Sequence, residues 1–110
     1  MKLRAFTMQL LPGYAEEYRK RHDEIWPELE KLILAHGISD YSIHLDERSN
    51  LLFAVCKVKS EEKLKELPDH PLMKKWWKYM ADIMETNEDY SPKEFPLSTV
   101  FVLNESNTDE

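Results

Sequence analysis

Residues 51–58 read Leu-Leu-Phe-Ala-Val-Cys-Lys-Val, or LLFAVCKV. The run has strand length, and Lys57 is its only charged side chain. A strand with one wet face alternates apolar and polar residues, and this one does not. It therefore reads as a central strand covered on both faces. What surrounds it must supply two covers.

Upstream, DERSN (46–50) is a short polar turn. Before it, ISDYSIHL (38–45) alternates, with Tyr41, Ile43 and Leu45 on one side and Ser42 and His44 on the other. Two strands joined by so short a turn form an antiparallel hairpin. Further back, Tyr14–His36 carries a helical pattern, and Gly37 stands where a helix end favours a residue with positive φ. Pro27 interrupts that pattern. It predicts a kink or short break, with Pro27 opening the second segment. LRAFTMQLL (3–11) is a strand with Phe6, Met8 and Leu10 on one side, ended by Pro12-Gly13.

Downstream, SEEKLKEL (60–67) opens with Ser60 as an N-cap; Lys63 leaves the capping box incomplete. PDHP (68–71) breaks the pattern. LMKKWWKYMADIM (72–84) is a helix whose apolar face includes Trp76, Trp77, Ile83 and Met84. ETNEDYSPKEFP (85–96) is a loop and LSTVFVL (97–103) the last strand. The order β-α-β-β-α-β predicts a ferredoxin-like α+β domain, an antiparallel sheet with both helices on one face. The helices are one cover for residues 51–58. A second copy of the sheet is the simplest other cover, which predicts a homodimer. One domain spans 1–104, and 105–110 is expected to be a flexible acidic tail.

Composition narrows the function. The 110 residues carry a net charge of −6, whereas a nucleic-acid footprint needs a basic excess. Acidity also disfavours an anionic membrane surface. Cys56 is the single cysteine, lies in an apolar run and cannot form an internal disulfide, which fits a reducing cytoplasm. No apolar run reaches membrane-spanning length, and MKLRAF leads into no signal-like core. A cytoplasmic protein is expected.

Few residues can carry chemistry. Tyr18 and His22 are one helical turn apart and project to the same side, with Ile25 and Trp26 flanking them. They either border the core or face a pocket. In a pocket, His22 can give and take a proton near neutrality, and the Tyr18 phenol can donate or accept a hydrogen bond. Tyr41 is a half-buried core tyrosine or a ligand contact. Trp76 and Trp77 point in different directions, so one indole can pack inside while the other lines a cavity. A flat apolar face with one N–H suits a sugar ring; two core tryptophans remain the other reading. His36 and His44 lack a second ligand at metal spacing, and HDEIW is not the two-histidine zinc motif. Gly13 and Gly37 are the only glycines, so a Gly-rich phosphate loop is excluded, and no serine sits in a nucleophile elbow. The lysines at 74, 75 and 78 read as a wet helix face.

AFTMQLLPGYAEEYRKRHDEIWPELEKLILAHG, YSIHLDERSNLLFAV, KWWKYMADIM and STVFVL, in that order and spacing, resemble the L-rhamnose mutarotase family. The resemblance runs from Leu3 to Leu103. It implies a dimeric α+β barrel of paired ferredoxin-like sheets. It implies interconversion of the α and β anomers of L-rhamnose without a cofactor. It also implies His22 as proton donor and Tyr18, Tyr41, Trp76 and Trp77 as sugar-binding residues. Two other readings use the same fold: a cofactor-free oxygenase or haem-degrading enzyme, and a sugar-binding dimer without catalysis.

Overall fold

The structure, a computed structural model, describes residues 2–103. The tail over 105–110 lies outside them. Four strands form one antiparallel sheet in the order β2-β3-β1-β4: β1 (Lys2–Gln9), β2 (Ile38–Asp46), β3 (Leu51–Val58) and β4 (Phe95–Pro96). Helices α1 (Ala15–Asp23) and α2 (Pro27–Ala35) link β1 to β2, and α3 (Glu61–Glu66) and α4 (Pro71–Met80) link β3 to β4. This is the expected α+β ferredoxin-like arrangement, with LLFAVCKV as a central strand between β1 and β2.

Pro27 breaks the first helical stretch in two. Trp26 is extended at φ −62° and ψ 127°, and Pro27 is the first residue of α2, where a missing N–H costs nothing. Gly37 ends α2 at φ 81°, and its N–H reaches the Leu34 carbonyl. Ser60 caps α3 by accepting from the Lys63 N–H at 3.3 Å.

β2 contains a bulge that alternation alone does not reveal. Ile43 and Leu45 face the same side as Ala54 and Leu52, and Ile38 faces the same side as Val58. An even step separates 43 from 41, but an odd one separates 41 from 38. An extra residue is needed to keep both Tyr41 and Ile38 inward. The register shifts between Ser39 and Ser42, with Asp40 at φ 49° absorbing the irregularity.

β3 divides the two sheet faces. Leu52, Ala54, Cys56 and Val58 are buried beneath the helices, together with Phe6 and Met8 of β1. On the other side Leu51 and Phe53 are half-buried, and Val55 is 36% exposed. Among the described residues of one chain, only one of the two predicted covers is present.

Two boundaries differ from expectation. The helix expected over 72–84 starts at Pro71, where the His70 ring accepts from the Leu72 N–H, and ends at Met80. Ile83 and Met84 are buried as their apolarity demands, but the backbone there pairs with the end of β1: the Leu11 N–H donates to the Ile83 carbonyl and the Glu85 N–H to that of Gln9. The last strand, expected over 97–103, is instead Phe95–Pro96, opposite Thr7 and Phe6. Leu97 adds one bond, to the Ala5 carbonyl, and the chain then leaves the sheet. Val100 is 93% exposed and Phe101 75%. The apolar run predicts a strand there, but among the described residues of one chain no surface is in place to bury it.

Candidate active site

A groove of about 1140 Å³ opens between the helices and the inward face of the sheet. All five residues singled out in the sequence line it: Tyr18 and His22 from α1, Tyr41 from β2, Trp76 and Trp77 from α4. Each of them borders this groove, and Tyr18 and Trp76 are at the same time buried members of the core.

α1 is polar almost throughout, and Tyr18 is its buried residue. The one-turn spacing stacks the Tyr18 and His22 rings, with centroids 4.3 Å apart and planes 28° apart. His22 Nδ1 lies 3.0 Å from the Tyr18 carbonyl oxygen. A carbonyl only accepts, so Nδ1 carries the proton in this contact and Nε2 is the nitrogen left for proton exchange. Desolvation lowers the His22 pKa from its ordinary 6.5, against opposing pulls from the Tyr18 carbonyl and the Asp23 charge. The neutral ring is favoured at rest, and the imidazolium, when formed, is a stronger acid than free imidazolium. Burial pushes the Tyr18 phenol pKa upward, so it stays a neutral hydroxyl.

α4 supplies the aromatic wall. The Trp76 ring meets His22 edge-on at 5.5 Å and Trp26 edge-on at 5.0 Å. Trp76 is 6% exposed, while Trp77 is half-buried. Trp76 thus serves core and cavity together, and Trp77 is the wetter of the pair. Tyr79 closes the outer side of the cluster, 5.7 Å from both Trp26 and Trp76.

The floor depends on two small residues. Phe6 on β1 and Tyr41 on β2 are separated by β3, yet their rings meet edge to face at 6.4 Å. Ala54 pairs with both Phe6 and Ile43, and Cys56 pairs with Arg4. Ala54 and Cys56 are small enough for the flanking rings to close over them. The bulge keeps Tyr41 on this side.

Sequence reasoning missed Arg21, whose side chain is 10% exposed. Its Nε donates to Glu17 at 2.8 Å, and Nη1 donates to the Tyr79 carbonyl at 2.8 Å and to Asp82 at 2.9 Å. Its guanidinium carbon lies 4.4 Å from the Tyr79 ring centre. Arg21 thereby ties the helix bearing His22 to the end of the helix bearing Trp76. The Glu17–Arg21 spacing was a visible signal for an ordinary helix ion pair; Asp82 was assigned to a helix that in fact ends earlier.

Fold and groove together define a ferredoxin-like α+β protein whose ligand site is aromatic and carries one histidine with a free ring nitrogen. Residues 4–103 match the profile of the L-rhamnose mutarotase family. The L-rhamnose mutarotase of Jannaschia sp. is 56% identical over 101 residues, covering 92% of this chain and 97% of the relative. That of Sinorhizobium fredii is 58% identical over 103 residues, covering 94% and 99%. The crystal structure of an L-rhamnose mutarotase from Formosa agariphila superimposes with a TM-score of 0.88 at 43% identity, covering 94% of this chain and all of that one. A dimeric ferredoxin-like protein from an uncultured marine organism shares the fold, with a TM-score of 0.58 at 14% identity. The chain belongs to the L-rhamnose mutarotase family.

Proposed function

We propose that this protein interconverts the α and β anomers of L-rhamnose, with His22 as the group that protonates the ring oxygen. On opening, the anomeric hydroxyl passes its proton to water, the ring oxygen gains one from His22, and the bond between C1 and the ring oxygen breaks; on closing each proton returns. Rotation about C1–C2 and reclosure complete the exchange. The carrying observation is the His22 ring itself: Nδ1 is held by the Tyr18 carbonyl, and Nε2 is the remaining nitrogen in a groove wall. In the imidazolium, Nε2–H donates to the ring oxygen on opening and takes the proton back on closing. Positioned acid–base catalysis of this kind contributes roughly 10²–10⁴-fold.

Tyr18 supplies a neutral hydroxyl beside His22, and Tyr41 a second one from the floor. Trp76 and Trp77 offer apolar faces to the C–H edges of the sugar. The catalytic unit is one ferredoxin-like domain over 1–104, acting as a homodimer in the cytoplasm. The half-buried Leu51 and Phe53 and the exposed Val55 support the second copy, and the buried free thiol of Cys56 supports the reducing compartment. Among the described residues no helix is long and apolar enough to cross a membrane. The relatives' names favour neither the oxygenase nor the binding-only reading.

The test is anomer exchange of L-rhamnose followed by saturation-transfer NMR. His22→Ala is expected to lower exchange roughly 10²-fold or more in a variant that keeps the native circular dichroism. Near-normal exchange in that folded variant would remove His22 from the reaction.

A further inference from the structure

A charged pair that none of the preceding assignments uses lies on the groove wall. Arg4 of β1 and Glu94, just ahead of β4, both line the cavity. Their placement follows from register. Arg4 shares the inward side of β1 with Phe6, and Glu94 shares the inward side of its segment with Pro96, which pairs with Phe6. The Arg4 side chain crosses the Phe6 ring, its guanidinium carbon 4.0 Å from the ring centre. At the end of that reach Nη2 donates to Glu94 Oε1 at 2.7 Å. Phe6 in turn meets Tyr41. Arg4, Phe6 and Tyr41 thus form one continuous surface along the floor, and Glu94 borders it.

We infer that the Arg4–Glu94 pair is a hydroxyl-binding element of this groove and sets which pyranose hydroxyl pattern is accepted. The inference rests on the reading of the groove as a sugar site and adds to it a specificity determinant. A desolvated pyranose must pair each of its hydroxyls, and every hydroxyl both donates and accepts. The aromatic residues of the site supply phenol hydroxyls and indole N–H groups, which are weak acceptors or none at all. An ionised carboxylate is a stronger acceptor than any of these, and charge-assisted bonds are the strong ones. Arg4 has five N–H donors, and its bond to Glu94 occupies one nitrogen. Donor and acceptor therefore stand side by side, an arrangement that fits two neighbouring hydroxyls. The pair is only partly open, with side chains 35% and 34% exposed. Glu16, Asp23, Glu30, Asp40, Glu47 and Asp89 also border the groove and are exposed, as Glu94 is as a whole residue; Glu94 differs in being held at 2.7 Å by an arginine that lies over Phe6.

The experiment uses the full chain, Arg4→Ala and Glu94→Gln, with L-rhamnose and its 2-, 3- and 4-deoxy analogues. Two quantities are read: binding, by NMR titration, and anomer exchange, as KM and kcat. Glu94→Gln preserves shape, which guards against a folding defect in Arg4→Ala. In the native protein at least one analogue is expected to bind roughly tenfold more weakly than L-rhamnose. That penalty should shrink to under about twofold in both variants, while L-rhamnose KM rises roughly tenfold and kcat changes less than about threefold. Unchanged KM and unchanged analogue selectivity in both variants would overturn the inference and leave the mutarotase reading standing. Native protein that binds L-rhamnose without speeding exchange would sink the mutarotase reading, and the binding arm would still decide the role of the pair. Absence of any sugar binding by native protein would overturn both.

Discussion

The two faces of β3 are built from the same eight residues and do opposite things. Facing the helices, Ala54 is fully buried and Cys56 1% exposed, and their small size lets Phe6 and Tyr41 close over them as a floor. Facing away, Phe53 is half-buried and Val55 36% exposed, with Phe95 of β4 on the same side at 61%. The inward face is finished within one chain and shapes a site. The outward face is apolar and unfinished, and under our proposal it finishes itself against a second copy. A strand without polar alternation thus encodes two interfaces, and each should be breakable without the other.

The largest effect is expected on the inward face. Ala54→Leu would wedge Phe6 from Tyr41 and crowd the groove; overpacking of this kind costs roughly 1–3 kcal/mol. Anomer exchange should fall at least about a hundredfold through lost sugar binding, while the assembly seen by sedimentation is unchanged. An Ala54→Leu protein with native exchange would show that the floor does not shape the site.

Acid–base behaviour comes next. Because burial lowers the His22 pKa below 6.5, catalysis by the imidazolium should decline about tenfold per pH unit above that lowered value. Stability runs the other way. The unfolded histidine binds a proton more readily than the folded one. The stabilising contribution of neutral His22 is therefore fully present above pH 6.5 and is lost as pH falls through the folded value. Rate and urea midpoint should therefore move in opposite directions across this window, and His22→Ala should flatten both.

The clamp between α1 and α4 should have a moderate effect. Arg21→Ala removes hydrogen bonds to Glu17, Asp82 and the Tyr79 carbonyl, and should lower unfolding free energy by about 2 kcal/mol. Exchange should drop severalfold, chiefly in kcat, because His22 loses its fixed distance from Trp76. The smallest effect on exchange belongs to the outward face. Val55→Glu should shift the sedimenting species from dimer to monomer and change exchange per chain by less than about threefold. A monomeric variant that loses exchange outright would mean that the two faces are not separable.

Much of this was legible because local rules and tertiary structure agree. LLFAVCKV is a central strand as its apolar run requires, and Pro27 opens α2 as its missing N–H allows. Tyr18, His22 and the two tryptophans share a groove because one-turn spacing puts the first pair together and α4 packs across them. The failures occurred where a distant partner overrides the local signal. Ile83 and Met84 continue a helical apolar pattern, yet the end of β1 captures the backbone beside them. Residues 97–103 are apolar like a strand, but a strand needs a neighbour, and among the described residues one is present only for Phe95, Pro96 and the Leu97 N–H. The Arg4–Glu94 pair spans 90 residues and depends on the β1–β4 register, while Glu94 sits in a segment that composition marks only as a polar loop.

The central claim is that one imidazole has its Nδ1 proton fixed on a backbone carbonyl and its other nitrogen free to serve a bound sugar. Nitrogen-15 NMR of the His22 ring, titrated with pH in the absence and presence of L-rhamnose, reads this directly. The account predicts the Nδ1–H tautomer, a pKa below 6.5, and a shift of the Nε2 resonance when sugar is added. An Nε2–H tautomer with an ordinary pKa, unmoved by L-rhamnose, would contradict it.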